Sequence, residues 1–504
     1  MKTCAVFTIC LLLVIPLPRA NAQEANPRLT NDDVVKMVQA GVSTELIMSK
    51  IRKSETDFDT SPSALAALPK RGVPNQILLA MLESDPLGSN AHVIRKNGKR
   101  ITAAEFKQLQ ASVLTVWSEF GSGSGFIISE NGLVLTSQHV IGPSEYLAVQ
   151  FDKKRKLPAK LLAVDPITDV AVLWVNLAAI PDAGVAPLAT SEPSIVENER
   201  VVTIGSPLNE RKVFTTGTAN KVEKRSIVSD INLNRSEAGG PLFNSLGEAA
   251  GIITFLRPDV SGPSAYGILR IEQTFPLLDE AKKKMRQTSV PPAKFLPVDP
   301  SESFPLEAIK AVATAREFEM SRYSVDVGDF NVLVMTPAVR YRLAQGGVLK
   351  NGAVDDFEEL KNRSQYVSAN KPVLFLYVAP RSGESESEFY KLRLFCRDRE
   401  VEPIRPLKVA RATTHGTTLR GIYAYSPTAV SADCGTVTLE IHSDGNPPKV
   451  RTRELDRKLI ARVDDDFSPY YQKYGRPPLT LLDRRSEANG KNKWWEFSKP
   501  SKQH

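Results

Sequence analysis

The sequence lacks any apolar run long enough to cross a membrane. Its most apolar stretch, Ala5–Leu17, is shorter than the roughly 20 residues that a spanning helix needs, and no later run reaches that length. Hydrophobic residues make up 42% and charged residues 24% of the 504 positions, which is the usual balance of globular proteins. We therefore expect no membrane span and several globular domains of about 100–200 residues each.

Cysteine is scarce, which excludes a cysteine-rich framework. Of four cysteines, Cys4 and Cys10 lie near the N-terminus, so that only Cys396 and Cys434 remain for the body of the chain. Two cysteines without nearby histidines do not make a metal site. In an oxidising compartment the pair forms a disulfide, and otherwise both are buried thiols; the sequence leaves these alternatives open. Nothing in the sequence calls for a metal or a cofactor.

Basic charge is not concentrated in one place. The formal net charge is +8, but Lys and Arg are scattered, and the one tight run is KKRK at Lys153–Lys156. Nucleic-acid-binding proteins tend to collect such charge on one face or along one helix. We therefore expect no nucleic-acid partner, and we interpret the KKRK run as the solvated edge of a hairpin, where lysines block edge-to-edge pairing.

The N-terminus has the pattern of an export signal. Lys2 precedes the apolar stretch, and an A-x-A pattern that ends at Ala22 follows it. This pattern predicts a signal peptide over residues 1–22. Because no cysteine adjoins the cleavage site, we expect no lipid anchor, and we expect the mature protein to be periplasmic or secreted.

Changes in composition predict a multidomain chain. Two helical patterns, in which Gly41-Val42 matches Gly72-Val73, predict a small all-α module built from a duplicated helical hairpin. Strand patterns with turn signals predict an all-β central domain and a β-rich C-terminal domain, which we interpret as a sandwich. The predicted boundaries are 1–22 for the signal peptide, 28–84 for the helical module, 85–111 for a linker, 112–287 for the central domain, 288–302 for a Pro-rich linker, 303–484 for the C-terminal domain and 485–504 for a polar tail.

The central segment alternates as antiparallel strands do. In GFIISENGLVLTS, two apolar runs flank Asn131-Gly132, a pair that suits the positive φ angles of a hairpin turn. TFPLLDEAKKKM, residues 274–285, predicts a closing helix. The further strand patterns are YLAVQF, KLLAVD, VAVLWV, RVVTIGSP, AAGIITF and SAYGILRI.

Histidine is also scarce, which narrows the search for a catalytic base. Of five histidines, only His139 lies in the central domain, at the end of a predicted strand. Asp169 follows immediately before the apolar strand VAVLWV. A serine-protease triad needs a nucleophile, an imidazole that takes its proton and a carboxylate that orients the imidazole. His139 and Asp169 are our candidates for base and orienting residue.

Four blocks, in order, carry a resemblance to a known family. GSGFIISENGLVLTSQHVI, TDVAVLWV, VVTIGSPL…VFTTGTANKV and DINLNRSEAGGPLFNSLGEAAGI resemble the histidine segment, aspartate segment, preceding strand pair and nucleophile loop of the trypsin-like serine proteases of the HtrA (Deg) family. The resemblance covers residues 113 to 285. It implies two six-stranded β-barrels with the site between them, and polypeptides as substrates or ligands.

The nucleophile loop departs from the family pattern. The family has Gly-Asn-Ser before Gly-Gly-Pro-Leu, and this chain has Ser236, Glu237 and Ala238. Alanine has no attacking oxygen, and Ser236 replaces a glycine whose N–H helps to form the oxyanion hole. A Cβ in a conformation that favours glycine costs roughly 1–2 kcal/mol. The resemblance therefore implies that Ala238 is a degenerate nucleophile position and that the oxyanion hole at Ser236 and Ala238 is altered.

These departures favour a pseudoprotease that binds polypeptide segments or proteins without cleaving them. One alternative is an active serine endopeptidase that uses a displaced serine such as Ser236, which would need a remodelled loop to reach His139. A second alternative is a surface-binding or matrix-binding scaffold in which the protease fold is a spacer. Labelling of any serine by a fluorophosphonate would favour the endopeptidase, whereas loss of cell association on deletion of residues 303–504, with the barrels intact, would favour the scaffold.

Overall fold

The computed structural model describes most of the chain. The described residues are 29–54, 56–58, 66–84, 95–96, 99–100, 103–206, 208, 214–233, 237–256, 265–315, 318–344, 371–381, 389–413, 416–443 and 449–482. The predicted signal peptide, the polar tail and the first part of the linker predicted over 85–111 lie outside them. The described residues before position 93 form one compact unit, and those after it form a second.

The first unit consists of short helices around a small apolar core. Thr30 begins the first helix with a capping box, in which its Oγ1 accepts from the Asp33 N–H and its own N–H donates to Asp33 Oδ2. The chain turns at Gly41 and Gly72 with φ of 74° and 88°, so the repeated glycines make the same kind of turn. The helices are Asn31–Gln39, Thr44–Lys53 and Asn75–Ser84, with a 3₁₀ turn at Pro69–Arg71 and a parallel pairing of Leu29–Thr30 with Thr56–Asp57.

Six antiparallel strands close into the first barrel of the second unit. The predicted hairpin forms with Phe126 opposite Leu135, and Gly132 has φ of 84° in its turn. A Cβ on Gly132 would collide with the carbonyl oxygen of Val175, so this turn requires glycine. The strands are Val113–Ser118, Gly121–Ile127, Leu133–Ser137, Leu147–Gln150, Lys156–Asp165 and Val170–Val175. Before the barrel lie the pairing of Arg95–Lys96 with Lys99–Arg100 and the helix Ala103–Ser112.

Six further antiparallel strands close into the second barrel. Its edges meet where Glu199–Ile204 pairs with Pro241–Phe243, which brings the predicted nucleophile loop next to the start of the barrel. The strands are Glu199–Ile204, Phe214–Val222, Ser226–Ser229, Pro241–Phe243, Ala249–Leu256 and Ala265–Arg270. The predicted closing helix follows at Phe275–Met285, after a 3₁₀ turn at Ile271–Thr274. The all-β pair of barrels agrees with the fold that the sequence predicts.

The C-terminal region is β-rich, with two antiparallel sheets and several helices around one core. The five-stranded sheet runs Ser324–Val327, Phe330–Met335, Leu374–Pro380, Gly416–Tyr425, Arg405–Thr413, and the four-stranded sheet runs Arg399–Glu400, Phe389–Cys396, Val437–Ser443, Lys449–Glu454. The helices are Leu306–Ala313, Pro337–Ala344 and Arg457–Tyr474, with 3₁₀ turns at Met320–Tyr323, Pro427–Ala429 and Ala432–Cys434. Because the helices supply core residues, a sandwich of two sheets alone is too simple a description.

The C-terminal region packs against the first barrel through two buried lysines. Lys408 Nζ lies 3.0 Å from Glu119 Oε1, and the Lys408 backbone N–H donates to the Glu119 carbonyl at 2.6 Å. Lys156 donates to the carbonyl of Ile404, and its ammonium lies 5.5 Å from the centre of the Trp117 ring. Lys156 is only 2% exposed, so the prediction of a solvated hairpin edge is wrong there. The C-terminal region covers this lysine and supplies its hydrogen-bond acceptor.

The helices in the described part of the chain are all too short or too polar to cross a bilayer. The longest, Arg457–Tyr474, has 18 residues and includes several charged side chains.

Candidate active site

His139 lies where the first barrel changes from strand to helix. The strand Leu133–Ser137 ends one residue before the four-residue helix Gln138–Ile141, so His139 follows directly on a buried strand. Val140 and Ile141 from this turn pack into the core of the first barrel. The apolar neighbours anchor the turn, while the imidazole remains partly exposed.

Asp169 orients His139 through both the side chain and the backbone. His139 Nδ1 lies 2.7 Å from Asp169 Oδ2, and the His139 backbone N–H donates to Asp169 Oδ1 at 2.8 Å. The Asp169 carbonyl also accepts from the Gln138 N–H at 3.0 Å. Asp169 has φ of 56°, a conformation that aspartate adopts more readily than most residues with a Cβ. A neutral imidazole that donates from Nδ1 keeps its lone pair on Nε2, which is the tautomer of a general base.

Asp169 also reaches the second barrel. Its Oδ2 accepts from the Phe255 backbone N–H at 2.7 Å, in addition to its contact with His139. Nearby, Ser137 Oγ donates to the Ile253 carbonyl at 2.9 Å. The residues around the candidate site therefore join the two barrels as well as orient the imidazole.

The loop at Ala238 is held tightly between the barrels. The Ala238 carbonyl accepts from the Ser124 N–H at 2.8 Å, and the Gly239 N–H donates to the Ile253 carbonyl at 2.7 Å. Gly239 has φ of 84°, and a Cβ there would collide with the Ser124 carbonyl and with Thr136 Oγ1. Ala238 itself is fully buried, and its side chain is a methyl group in the first-barrel core.

The second imidazole nitrogen of His139 has no hydrogen-bond partner within the described residues. His139 Nε2 is buried, although the ring as a whole is partly exposed. The rings of Phe255 and Tyr266 lie beside the imidazole, with centroids 6.0 and 5.9 Å from it and 5.5 Å from each other. The immediate surroundings of the His139 imidazole are therefore aromatic.

The structure brings some of the predicted residues together and leaves others outside. His139 and Asp169 are in contact, and Ala238 lies in the loop bonded to the first barrel. Ser236, the candidate displaced nucleophile and part of the predicted oxyanion hole, lies outside the described residues. Cys396 and Cys434 form a disulfide in the C-terminal region, with their Cα atoms 5.0 Å apart.

Sequence reasoning missed the contribution of the second barrel. AAGIITF and SAYGILRI predict strands, but alternation alone does not show that Phe255 and Tyr266 meet His139. The donor to Asp169 is the backbone N–H of Phe255, so no pattern of side chains in the sequence predicts this hydrogen bond. Both contacts depend on how the two barrels pack together, because they join residues that are far apart in the sequence.

The central part of the chain is similar in sequence to known proteins. Residues 123–252 match the family described as a trypsin-like peptidase domain. A Pseudomonas putida protein named "Probable periplasmic serine endoprotease DegP-like" is 38% identical over 138 residues, which are 26% of this chain and 28% of that protein. A Pseudomonas fluorescens protein of the same name is 36% identical over 138 residues, with the same shares.

The match is confined to part of each protein. The crystal structure of the serine endoprotease from Yersinia pestis, at 25% identity and a TM-score of 0.30, covers 35% of this chain and 66% of that chain. The chain spans 28% of the length of the two Pseudomonas relatives. Residues 123–252 are therefore similar to a trypsin-like peptidase domain, and the Pseudomonas proteins that they match are named as DegP-like serine endoproteases.

Proposed function

We propose that this protein is an exported, non-catalytic member of the trypsin-like fold that binds polypeptide segments in the former substrate cleft. The observation that carries the proposal is Ala238, which stands at the nucleophile position and offers only a buried methyl group. Loss of the serine nucleophile in such enzymes costs about a millionfold in turnover.

The remaining dyad supports a structural role. Asp169 accepts hydrogen bonds from His139 in the first barrel and from the Phe255 N–H in the second. Because each of these donors would lose its partner without the carboxylate, the pair has a reason to persist without chemistry. His139 Nε2, the atom that would take a proton from a nucleophile, has no hydrogen-bonding neighbour among the described residues.

A strand edge beside the site supports polypeptide binding. The strand Ala249–Leu256 pairs with Ala265–Arg270 along its full second half, but with Pro241–Phe243 only as far as Ile252. Among the described residues, no strand covers its other edge from Thr254 to Leu256. The Phe255 N–H on this edge is already donated to Asp169 Oδ2, so an extended peptide that adds here would use the remaining main-chain groups and the apolar contact that the rings of Phe255 and Tyr266 offer.

Export is supported by three observations. The N-terminus has the pattern of a signal peptide, and the Pseudomonas relatives are named as periplasmic. The disulfide between Cys396 and Cys434 suits an oxidising compartment. We therefore propose a periplasmic or secreted location.

The test of inactivity is a pair of measurements on the purified mature protein. We expect no cleavage of unfolded casein and no labelling by a fluorophosphonate probe. Labelling at any serine, Ser236 above all, would replace this proposal with an active endopeptidase.

The reverse substitution shows whether the rest of the site is competent. Ala238→Ser combined with Ser236→Gly restores the family's residues at the nucleophile position and at the altered oxyanion-hole position, with Glu237 unchanged, and we expect measurable casein hydrolysis. The matched control adds His139→Ala to the double variant, which should abolish that hydrolysis. Hydrolysis that survives the control would come from a contaminant or another site.

The binding part is tested separately. A fluorescent, permanently unfolded polypeptide should bind the unmodified protein in an anisotropy titration, and Phe255→Ala should weaken binding about tenfold through lost aromatic contact. Phe295→Ala, which changes a partly exposed phenylalanine outside the His139 cluster, is the control. Equal binding by both variants would contradict a peptide site beside His139.

A further inference from the structure

A small cavity lies between the first barrel and the C-terminal region. Its volume is about 170 Å³. Glu145 and Tyr146 line it from the barrel, and Lys391, Glu402, Tyr423 and Tyr425 line it from the C-terminal region. We call it the interface cavity. It is separate from the candidate active site, because none of His139, Asp169 and Ala238 lines it.

Glu402 is the carboxylate at the cavity that has no partner among the described residues. It is only 8% exposed, and no hydrogen bond or ion pair joins its carboxylate to any described residue. The other carboxylates at the cavity are paired: Glu119 with Lys408 at 3.0 Å, Glu145 with Lys391 at 3.8 Å, and Glu400 with Arg393. The cavity therefore contains one buried acceptor whose hydrogen-bonding capacity is unused within the described chain.

Burial of an unpaired, ionised carboxylate costs free energy, and the pKa of Glu402 is raised as a result. Burial, together with the charge of Glu400, raises the pKa of Glu402 to about 7. The positive charges of Lys156, Lys391 and Lys294 act in the opposite direction without forming a contact. A donor group placed in the cavity would stabilise the ionised form.

The other residues that line the cavity indicate which class of donor group it would bind. No group of three His, Cys, Asp or Glu side chains among the described residues is arranged to hold a metal ion, and hard divalent cations need several oxygen ligands. Three tyrosine rings line the cavity, and aromatic faces attract organic cations. The volume suits a compact group rather than a drug-sized molecule.

We propose that the interface cavity binds a guanidinium or primary ammonium group, held by the carboxylate of Glu402 against the tyrosine rings. Such a group donates several hydrogen bonds and accepts none, which matches an unpaired carboxylate. The group belongs either to a small amine or to an arginine or lysine side chain of a polypeptide. The proposal does not depend on whether the trypsin-like domain is active.

The test uses the full-length mature chain and equilibrium dialysis with isotope-labelled N-propylguanidinium at pH 8. We expect saturable binding, and we expect Glu402→Gln, which keeps the shape of the side chain, to weaken it by about tenfold or more. The neutral isostere N-propylurea should bind much more weakly than the cation. Glu454→Gln, on the exposed strand Lys449–Glu454, removes a charge from the same region and should leave binding unchanged.

Two further arms identify the source of the cation. A Gly-Ser peptide with one arginine, compared with the same peptide carrying citrulline, asks whether a polypeptide side chain enters the cavity. The double variant Arg484→Gln/Arg485→Gln asks whether the chain itself competes, because Leu482 lines the cavity and these arginines follow it in sequence. Binding that appears only in this variant would overturn the proposal of an external ligand. Equal binding by the parent and Glu402→Gln, equal binding of the urea, or no binding by any form would overturn the site itself.

Discussion

The Oδ2 atom of Asp169 accepts hydrogen bonds from two directions: His139 Nδ1 in the first barrel and the Phe255 backbone N–H in the second, each at 2.7 Å. In a serine protease the corresponding carboxylate orients the catalytic base. In this structure the carboxylate of Asp169 also links the two barrels through hydrogen bonds. The two roles can be separated by substitution.

Asp169→Ala should destabilise the protein far more than His139→Ala. The first change leaves the backbone N–H groups of His139 and Phe255 without their acceptor, and an unsatisfied buried group costs about 1–3 kcal/mol. The second change leaves Phe255 bonded. We expect a loss of about 3 kcal/mol for Asp169→Ala and about 1 kcal/mol for His139→Ala, measured by urea unfolding. Equal losses would mean that the imidazole contact dominates.

Gly239→Ala should be severely destabilising for a reason beyond backbone conformation. Gly239 and Gly475 have φ of 84° and 81°, but a Cβ on Gly475 meets no atom within 4 Å, whereas one on Gly239 collides with the Ser124 carbonyl. Gly475→Ala should cost about 1–3 kcal/mol from conformation alone. Gly239→Ala should cost at least twice as much or prevent folding, as measured by thermal unfolding and soluble yield. Similar losses for the two variants would show that the loop can move away.

Glu402→Gln should stabilise the ligand-free protein at high pH and have little effect at low pH. The pKa of Glu402 is raised to about 7 from 4.5, so the folded state binds its proton more tightly than the unfolded state. That stabilising contribution is complete below about pH 4.5 and is lost as the pH rises through 7. At about 1.4 kcal/mol per pKa unit, glutamine should gain about 3 kcal/mol at pH 8. The measurement is urea unfolding at several pH values.

The exposed residue Glu454 supplies the control for this prediction. Glu454→Gln should leave the pH dependence of unfolding unchanged. If Glu402→Gln gives the same gain at pH 5 as at pH 8, its effect does not come from a buried charge.

Loss of the lysine from the buried pair of Glu119 and Lys408 should lower the free energy of unfolding more than the same loss from an exposed pair at a similar distance. Their side chains are 2% and 7% exposed at 3.0 Å, whereas Lys221 and Glu223 are 64% and 42% exposed at 2.9 Å. Lys408→Met leaves a buried carboxylate without its cation, which costs about 3–5 kcal/mol. Lys221→Met should have little effect on the free energy of unfolding, because water screens the exposed pair. Two small losses in urea unfolding would indicate that water reaches Glu119.

The sequence predicts most of the strands and the central pair of the candidate site. The hairpin that precedes His139 and the closing helix Phe275–Met285 follow from local alternation and turn chemistry. The helix Arg457–Tyr474 also has a local signal, with Asp456 as its N-cap and Gly475 after its end, although the strand patterns of the C-terminal region do not predict it.

The failures concern contacts between distant segments. Nothing near Lys156 indicates that residues some 250 positions later will cover it, and the same holds for Glu402 in the interface cavity. Burial of a charged side chain is decided by what packs over it, and local sequence does not contain that information. The contact of Phe255 with Asp169 was missed for the same reason.

The docking of the C-terminal region on Glu119 has a consequence for how the second unit comes apart. Glu119 also donates its N–H to Ser144 Oγ, in the loop that leads away from the His139 turn. If the peptide chain were cut in the proline-rich segment at 288–302, the contacts of Glu119 and Lys156 would therefore still hold the two parts together. In either part alone, the charged side chains of this interface would be exposed to water. A fragment that contains only the two barrels would therefore expose Glu119 and Lys156, which the C-terminal region covers in the whole chain.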